Sequence, residues 1–318
     1  MADLLPNGPP PATATAFWTV APGRGELREA PLPAPGPGEV LVRVAASSLN
    51  GFDLSVASGR LQGMMEHRFP VVLGKDFAGT VEAVGEGATR FAPGDAVLGV
   101  VTKAHLGDGG FGELLVVHEG DFITAVPEGL DLHSAGALGL AGTAALDTLA
   151  AAGVRAGQTV LVSGATGGVG ALAVQYAAAA GATVIATARP GEEADFVTQL
   201  GAEHTVDHTG DVPAQVRAFT PEGVDAIVHL AGDGAELAGL LKPGGKIGST
   251  MGYGPDQNPA ATFVMANPSS DTLARLAADA AAGRIRVPVT VTYSLTDVPR
   301  AFEDFRSGTR GKICIEIG

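Results

Sequence analysis

One segment constrains this chain more than any other: Val160-Leu161-Val162-Ser163-Gly164-Ala165-Thr166-Gly167-Gly168-Val169-Gly170. Its three apolar residues in a row read as a strand buried on both faces. Glycines 164, 167 and 170 follow at GxxGxxG spacing, and a helical pattern then runs from Gly168 to Ala180 until Gly181 stops it. Thr183-Val184-Ile185-Ala186 supplies a second strand. A dinucleotide site needs this order. The loop must turn tightly, the backbone must approach a pyrophosphate with no Cβ in the way, and the helix must present its N-terminus to the anion. A glycine triplet alone is weak, but strand, loop, helix and strand in succession are specific. The plain alternative is a glycine-rich turn in an α/β domain that binds nothing.

The alternation continues beyond the loop. Glu192 to Leu200 is a helix, Val224 to Leu230 and Lys246 to Ser249 are strands, and Gln215 to Phe219 and Ala235 to Leu241 are helical links. Thr262 to Met265 is a last strand, so right-handed βαβ crossovers and a parallel sheet are expected. The N-terminal third differs. Val40 to Val44, Pro70 to Gly74, Gly79 to Gly85 and Asp95 to Val100 are short, glycine-punctuated strands, the pattern of a small barrel. The tail is mixed: a helix from Ser270 or Asp271 to Ala282, a strand Val287 to Tyr293, a helix Asp297 to Phe305 and a strand Lys312 to Ile317. A length of 318 residues suits two domains. Residues 1–16 read as loosely ordered.

Composition removes other classes. With 46% hydrophobic and 17% charged residues, the chain is not disordered. A formal charge of −14 argues against a nucleic-acid partner. The single cysteine, Cys314, permits no internal disulfide and no zinc site built from two or more cysteines. The first 16 residues lack a basic start and an apolar run, so no signal peptide is expected. Ala135 to Val154 is weakly polar but carries four glycines and Asp147, which reads as soluble helix and loop, not a membrane span. The expectation is a soluble, cytoplasmic protein.

The second strand of the glycine-loop unit ends in Ala188-Arg189. A site that prefers NADH places Asp or Glu about 20 residues past the loop to hold the ribose hydroxyls. Here Ala188 stands there with a guanidinium beside it, which suits the 2′-phosphate of NADPH. The alternative for Arg189 is a solvated surface residue.

Taken together, several motifs resemble the medium-chain dehydrogenase/reductase superfamily, in its zinc-independent quinone oxidoreductase (zeta-crystallin-like) branch. They are Pro35 to Val44 (PGPGEVLVRV), Ser48 to Asp53 (SLNGFD), Gly74 to Gly79 (GKDFAG), Gly110-Phe111-Gly112-Glu113, Ala141 to Ala145 (AGTAA), the glycine loop, and Gly311-Lys312-Ile313. The resemblance spans residues from about 30 to 318. It implies an α/β protein: a GroES-like β-barrel catalytic domain (1–137 and 268–318) plus a Rossmann doubly wound parallel-sheet cofactor domain (138–267). Where zinc-dependent relatives carry a cysteine and a histidine, this chain has Asn50 and Lys75, neither a normal zinc ligand. No metal is therefore expected. The implied reaction is hydride transfer from NADPH to a quinone or to the C=C of an α,β-unsaturated carbonyl (enone or enoyl) compound.

The resemblance also implies site residues. Asn50 and Thr143 would hold the nicotinamide end, Thr166, Gly167, Gly168 and Val169 the pyrophosphate, and Ala188 and Arg189 the 2′-phosphate. Leu230, Ala231 and Gly232 would line the adenosine or the nicotinamide riboside, and Met251 and Gly252 would lie near the nicotinamide. Two departures stand out. Many relatives carry a lysine after the second strand, where this chain has Gly191-Glu192-Glu193-Ala194, and often a tyrosine after the next strand, where it has His208. His208 would stack on the cofactor or donate to the phosphate, the alternative being a plain loop residue. A homodimer through the sheet edge at Thr262 to Met265 is a further implication.

For proton handling, Lys75 and Tyr253 are the catalytic candidates. An ammonium in the cleft can stabilise an oxyanion or donate a proton, and Asp76, if close, would favour its charged form. A purely structural Lys–Asp contact is the plain alternative for Lys75, and Asp53 reads as orienting local backbone. His204 and His208 are four apart, but the β-like residues between them would hold them ~13 Å apart, so they do not read as a metal pair. Two other functions compete: a non-catalytic NADPH-binding crystallin-like or scaffold protein, and a zinc-free carbonyl reductase.

Overall fold

The computed structural model describes residues 13–21, 23–31, 34–103 and 105–318. Of the loose segment expected at 1–16, residues 1–12 lie outside this set. The remainder differs from expectation, because Thr13 opens a strand, Thr13–Ala21, that pairs antiparallel with Arg24–Pro31. Both faces of the strand are covered, with Ala14 and Ala16 buried on one side and Phe17 and Thr19 on the other, though proline-rich flanks disguise the pattern.

Six parallel strands form one sheet, in the spatial order His204–Val206, Thr183–Thr187, Thr159–Ser163, Val224–His229, Leu241–Ser249 and Ala261–Phe263. Chain order reverses beside Thr159–Ser163, which makes the sheet doubly wound and opens a crevice at the strand ends there. Val160 and Val162 pack into one core with the helices Gly139–Ala151 and Gly168–Ala179. Leu161 points the other way, onto Ile185, Val206 and Ile227. Two covered faces are why the three central residues of the strand, Val160 to Val162, are all apolar.

The barrel sheet runs Ile123–Ala125, Ala96–Val100, Asp76–Val84, Glu39–Ser48, Lys312–Glu316 and Val289–Ser294, with Leu114–His118 also on Glu39–Ser48. The C-terminal strand thus returns to the N-terminal fold by pairing Cys314 with Ser48. Backbones crowd here: a Cβ on Gly79 would lie 2.0 Å from the Arg43 carbonyl oxygen. The expected architecture, a GroES-like barrel with a Rossmann sheet, is the one observed. The two meet where Gly311 N–H donates to Thr166 O at 2.6 Å, a bridge that places the chain's tail against the glycine loop. Among the described residues, no helix is long and apolar enough to cross a membrane.

Candidate functional site

The glycine loop is built as its spacing requires. Gly164 holds φ +68°, and a Cβ on Gly170 would lie 2.1 Å from the Gly164 carbonyl oxygen. Gly167 N–H donates to that same oxygen at 3.1 Å, closing the turn. The helix Gly168–Ala179 starts from Gly167 with no side-chain cap, so its first amides are left for a ligand. A cavity of about 890 Å³ opens at this point, lined by Gly164, Thr166, Arg189, His208, Ala231 and Gly232 among others. Its volume suits a cofactor, and the uncapped amides suit a pyrophosphate. A dinucleotide fits the residues present.

The structure therefore brings Thr166, Arg189, His208, Ala231 and Gly232 together, with Gly167, Gly168 and Val169 at the start of the helix. Leu230 sits behind them, its N–H donating to Ser163 Oγ at 3.2 Å. Met251 is exposed and its N–H donates to Ser249 Oγ, while Gly252 turns with φ +77°. Ala188 is placed differently from the expectation. It is buried and its amide donates to the Val206 carbonyl at 2.9 Å, so only Arg189 faces the cavity. Arg189 is not free there. Its backbone N–H and Nε each donate to Glu193 at 2.8 Å, Nη2 donates as well, and His208 Nε2 stands 3.5 Å from the same carboxylate.

A second cation in the cavity, Arg310, is one the sequence reading misses. It comes from the loop before the last strand and pairs with Glu192 at 2.7 Å. Its only sequence signal is adjacency to the Gly311-Lys312 motif. His204 meanwhile stacks on Phe219 at 4.3 Å, whereas His208 lines the cavity.

Between the sheets lies a buried polar network. Asn50 Nδ2 donates to Asp76 Oδ2 at 2.8 Å and to Ser48 O at 3.1 Å, while its Oδ1 accepts from Lys312 Nζ at 2.7 Å. Asp76 also accepts from Ser48 Oγ at 2.6 Å and from the Leu140 N–H at 2.7 Å. Burial pushes the Lys312 ammonium below the usual lysine range, opposed by Asp76 and Asp53. The carboxylate expected beside Lys75 thus has Lys312 as its buried cation, with Nζ 3.8 Å from Oδ2. Thr143 is fully buried and its hydroxyl donates to Gly139 O at 2.8 Å, inside its own helix.

Lys75 is half-buried, with Nζ donating to Val101 O at 2.5 Å and lying 4.7 Å from the Phe52 ring centre. Burial lowers its pKa, against the pull of Asp53 and Asp76. Phe52, Lys75, Lys103 and His105 share one small recess. Tyr253 lies elsewhere, its ring packed over Gly234 and edge-on to His229 at 5.9 Å. Asp53 accepts from the Asn50 and Gly74 N–H groups, and so orients backbone. A zinc ion does not fit these residues: the amide of Asn50 is fully engaged, and among the described residues no group of three His, Cys, Asp or Glu side chains could hold a metal.

Known proteins share the sequence pattern and fold of this chain. The family model described as Alcohol dehydrogenase GroES-like domain matches residues 36–128, and that described as Zinc-binding dehydrogenase matches residues 168–273. A Mycocerosic acid synthase-like polyketide synthase of Mycolicibacterium smegmatis is 40% identical over 209 residues, 65% of this chain. The chain spans only 10% of that relative's length. The Quinone oxidoreductase of Sus scrofa is 31% identical over 306 residues, covering 89% of this chain and 91% of that protein. The solved quinone oxidoreductase from Coxiella burnetii superposes with a TM-score of 0.86 at 26% identity, over 96% of this chain and 100% of that one. Barrel, glycine loop and full-length likeness converge: the chain belongs to the medium-chain dehydrogenase/reductase superfamily, in its quinone oxidoreductase-like branch.

Proposed function

We propose that this protein is an NADPH-dependent, zinc-independent oxidoreductase that reduces a quinone or the C=C of an α,β-unsaturated carbonyl compound, working as a homodimer. The observation that carries the reading is the uncapped glycine-loop helix opening onto a cavity that ends on Arg189 and His208. Likeness to the Sus scrofa protein supports the quinone side of the proposal. When bound, NADPH supplies a hydride. The loop amides would hold its pyrophosphate, and Arg189 with His208 would receive its 2′-phosphate.

With no metal to polarise the acceptor, the acceptor must delocalise the incoming charge itself, as quinones and enones do. The protein then has an oxyanion to settle. Lys75 holds a proton on Nζ, aimed by the Val101 carbonyl and the Phe52 ring. Burial makes that ammonium a readier donor than an ordinary lysine. Tyr253 is the second candidate, but its ring is fixed by packing on Gly234. The Asn50–Asp76–Lys312 network ties together the strand ends next to Lys75.

Lys75→Met tests the proton role. Steady-state kinetics with a quinone and an enone should show kcat reduced by about 10²- to 10⁴-fold with NADPH binding retained. Unchanged turnover with both acceptors would remove Lys75 from the chemistry.

A further inference from the structure

The anion cradle at the adenosine end of the cavity already contains an anion. Three donors of Arg189, its backbone N–H, Nε and Nη2, converge on the Glu193 carboxylate, and His208 Nε2 approaches it at 3.5 Å. These are the groups that a 2′-phosphate would use. Their partner sits in the first turn of the helix Glu192–Gln199, directly after the strand that ends at Thr187, so the fold holds it in place. The contact is also well shielded on one side: the Glu193 side chain is 14% exposed, against 62% for that of Arg189. The other arginine of the cavity is likewise paired, Arg310 with Glu192. Both arginines thus enter the binding equilibrium with a carboxylate attached.

We propose that Glu193 is the residue that sets cofactor choice: it occupies the 2′-phosphate cradle as an internal competitor and narrows the margin by which NADPH is preferred to NADH. This rests on the reading that the 2′-phosphate docks at Arg189. A phosphate entering the cradle must detach the guanidinium from Glu193 and then lie beside a displaced like charge. A cofactor with a free ribose 2′-hydroxyl meets neither obstacle, since it brings no second anion and leaves the Arg189–Glu193 pair intact. Removing the charge, but not the shape, of Glu193 releases the cradle for phosphate alone.

The test is a fluorescence titration of NADPH and NADH into the wild-type protein, Glu193→Gln and Arg189→Ala, with thermal melts to confirm folding. Titrations of 2′-phosphoadenosine 5′-phosphate against 5′-AMP remove the nicotinamide from the comparison. Glu193→Gln should raise the NADPH-to-NADH affinity ratio about tenfold, equivalent to about 1.4 kcal/mol, and tighten only the 2′-phosphorylated adenosine fragment. An unchanged or lower ratio in Glu193→Gln, with the ratio still collapsing in Arg189→Ala, overturns the role of Glu193 and leaves the docking site standing. If neither substitution moves the ratio, the docking site at Arg189 falls as well.

Discussion

At Asp53, a carboxyl that is 1% exposed accepts backbone N–H bonds from Asn50 at 2.9 Å and Gly74 at 3.1 Å. Burial, reinforced by nearby Asp76, raises its pKa from 3.8 to about 6 despite those bonds. At this one carboxyl the folded chain therefore binds more proton than the unfolded chain between pH 3.8 and about 6. Asp53's contribution is fully present below that window and is lost as pH rises through it, a difference of about 3 kcal/mol at about 1.4 kcal/mol per unit. Denaturant melts should show wild-type stability falling relative to Asp53→Asn from pH 4 to 6, with parallel curves outside that window; parallel curves throughout would refute it. The types of residue in the cleft were readable one by one, because Asn50, Lys75 and Arg189 each stand inside a local motif. Their partners were not. Asn50 and Lys312 are 262 residues apart, and only the antiparallel pairing of Lys312–Glu316 with Glu39–Ser48 brings them together. Adjacency in the chain suggested Lys75 as the partner of Asp76, but Lys75 lies in a bend ahead of the strand and gives its ammonium to the Val101 carbonyl, while Lys312 stands beside the Asp76 carboxylate.

The glycine loop separates two demands that a sequence motif merges. Gly170 is required by the fold, since a Cβ there would lie 2.1 Å from a backbone carbonyl oxygen. Gly167 is not, because its Cβ would meet only ordinary contact, 3.5 Å from the Gly164 oxygen. Gly170→Ala should therefore destabilise the protein by roughly 1–3 kcal/mol through overpacking. Gly167→Ala should cost at most about 1 kcal/mol, the helix N-cap preference, yet weaken cofactor binding about tenfold or more. Thermal melts paired with NADPH titration separate the two, and equal loss of stability would contradict the assignment. Most elements were legible because apolar periodicity and glycine stops set them, as in Glu192–Gln199 and Val224–His229. Exceptions have local causes. The strand read as Lys246 to Ser249 starts at Leu241, where the Pro243-Gly244-Gly245 run interrupts the pairing, with Gly244 at φ +82°. The strand Thr13–Ala21 is hidden by proline-rich flanks.

At the scale of the molecule, the Rossmann sheet ends on Ala261–Phe263, a strand with one paired side, beside exposed Phe263 and Met265. An unpaired apolar edge invites a second copy. Sedimentation should find wild-type protein at twice the chain mass and Phe263→Asp at the chain mass; a monomeric wild type would refute the proposed dimer. The doubly wound sheet and the barrel were legible as classes, whereas the bridge from Gly311 to the glycine loop was not, since it joins the chain's tail to its middle. That bridge places the strand carrying Lys312, and with it Asn50, against the loop. The most direct measurement is NADPH oxidation by chelator-treated protein, verified metal-free, across a panel of quinones, enones, simple aldehydes and ketones. Undiminished turnover with quinones or enones is the predicted result. Turnover that needs added zinc, turnover confined to the simple carbonyls, or saturable NADPH binding with no turnover on any acceptor would contradict it.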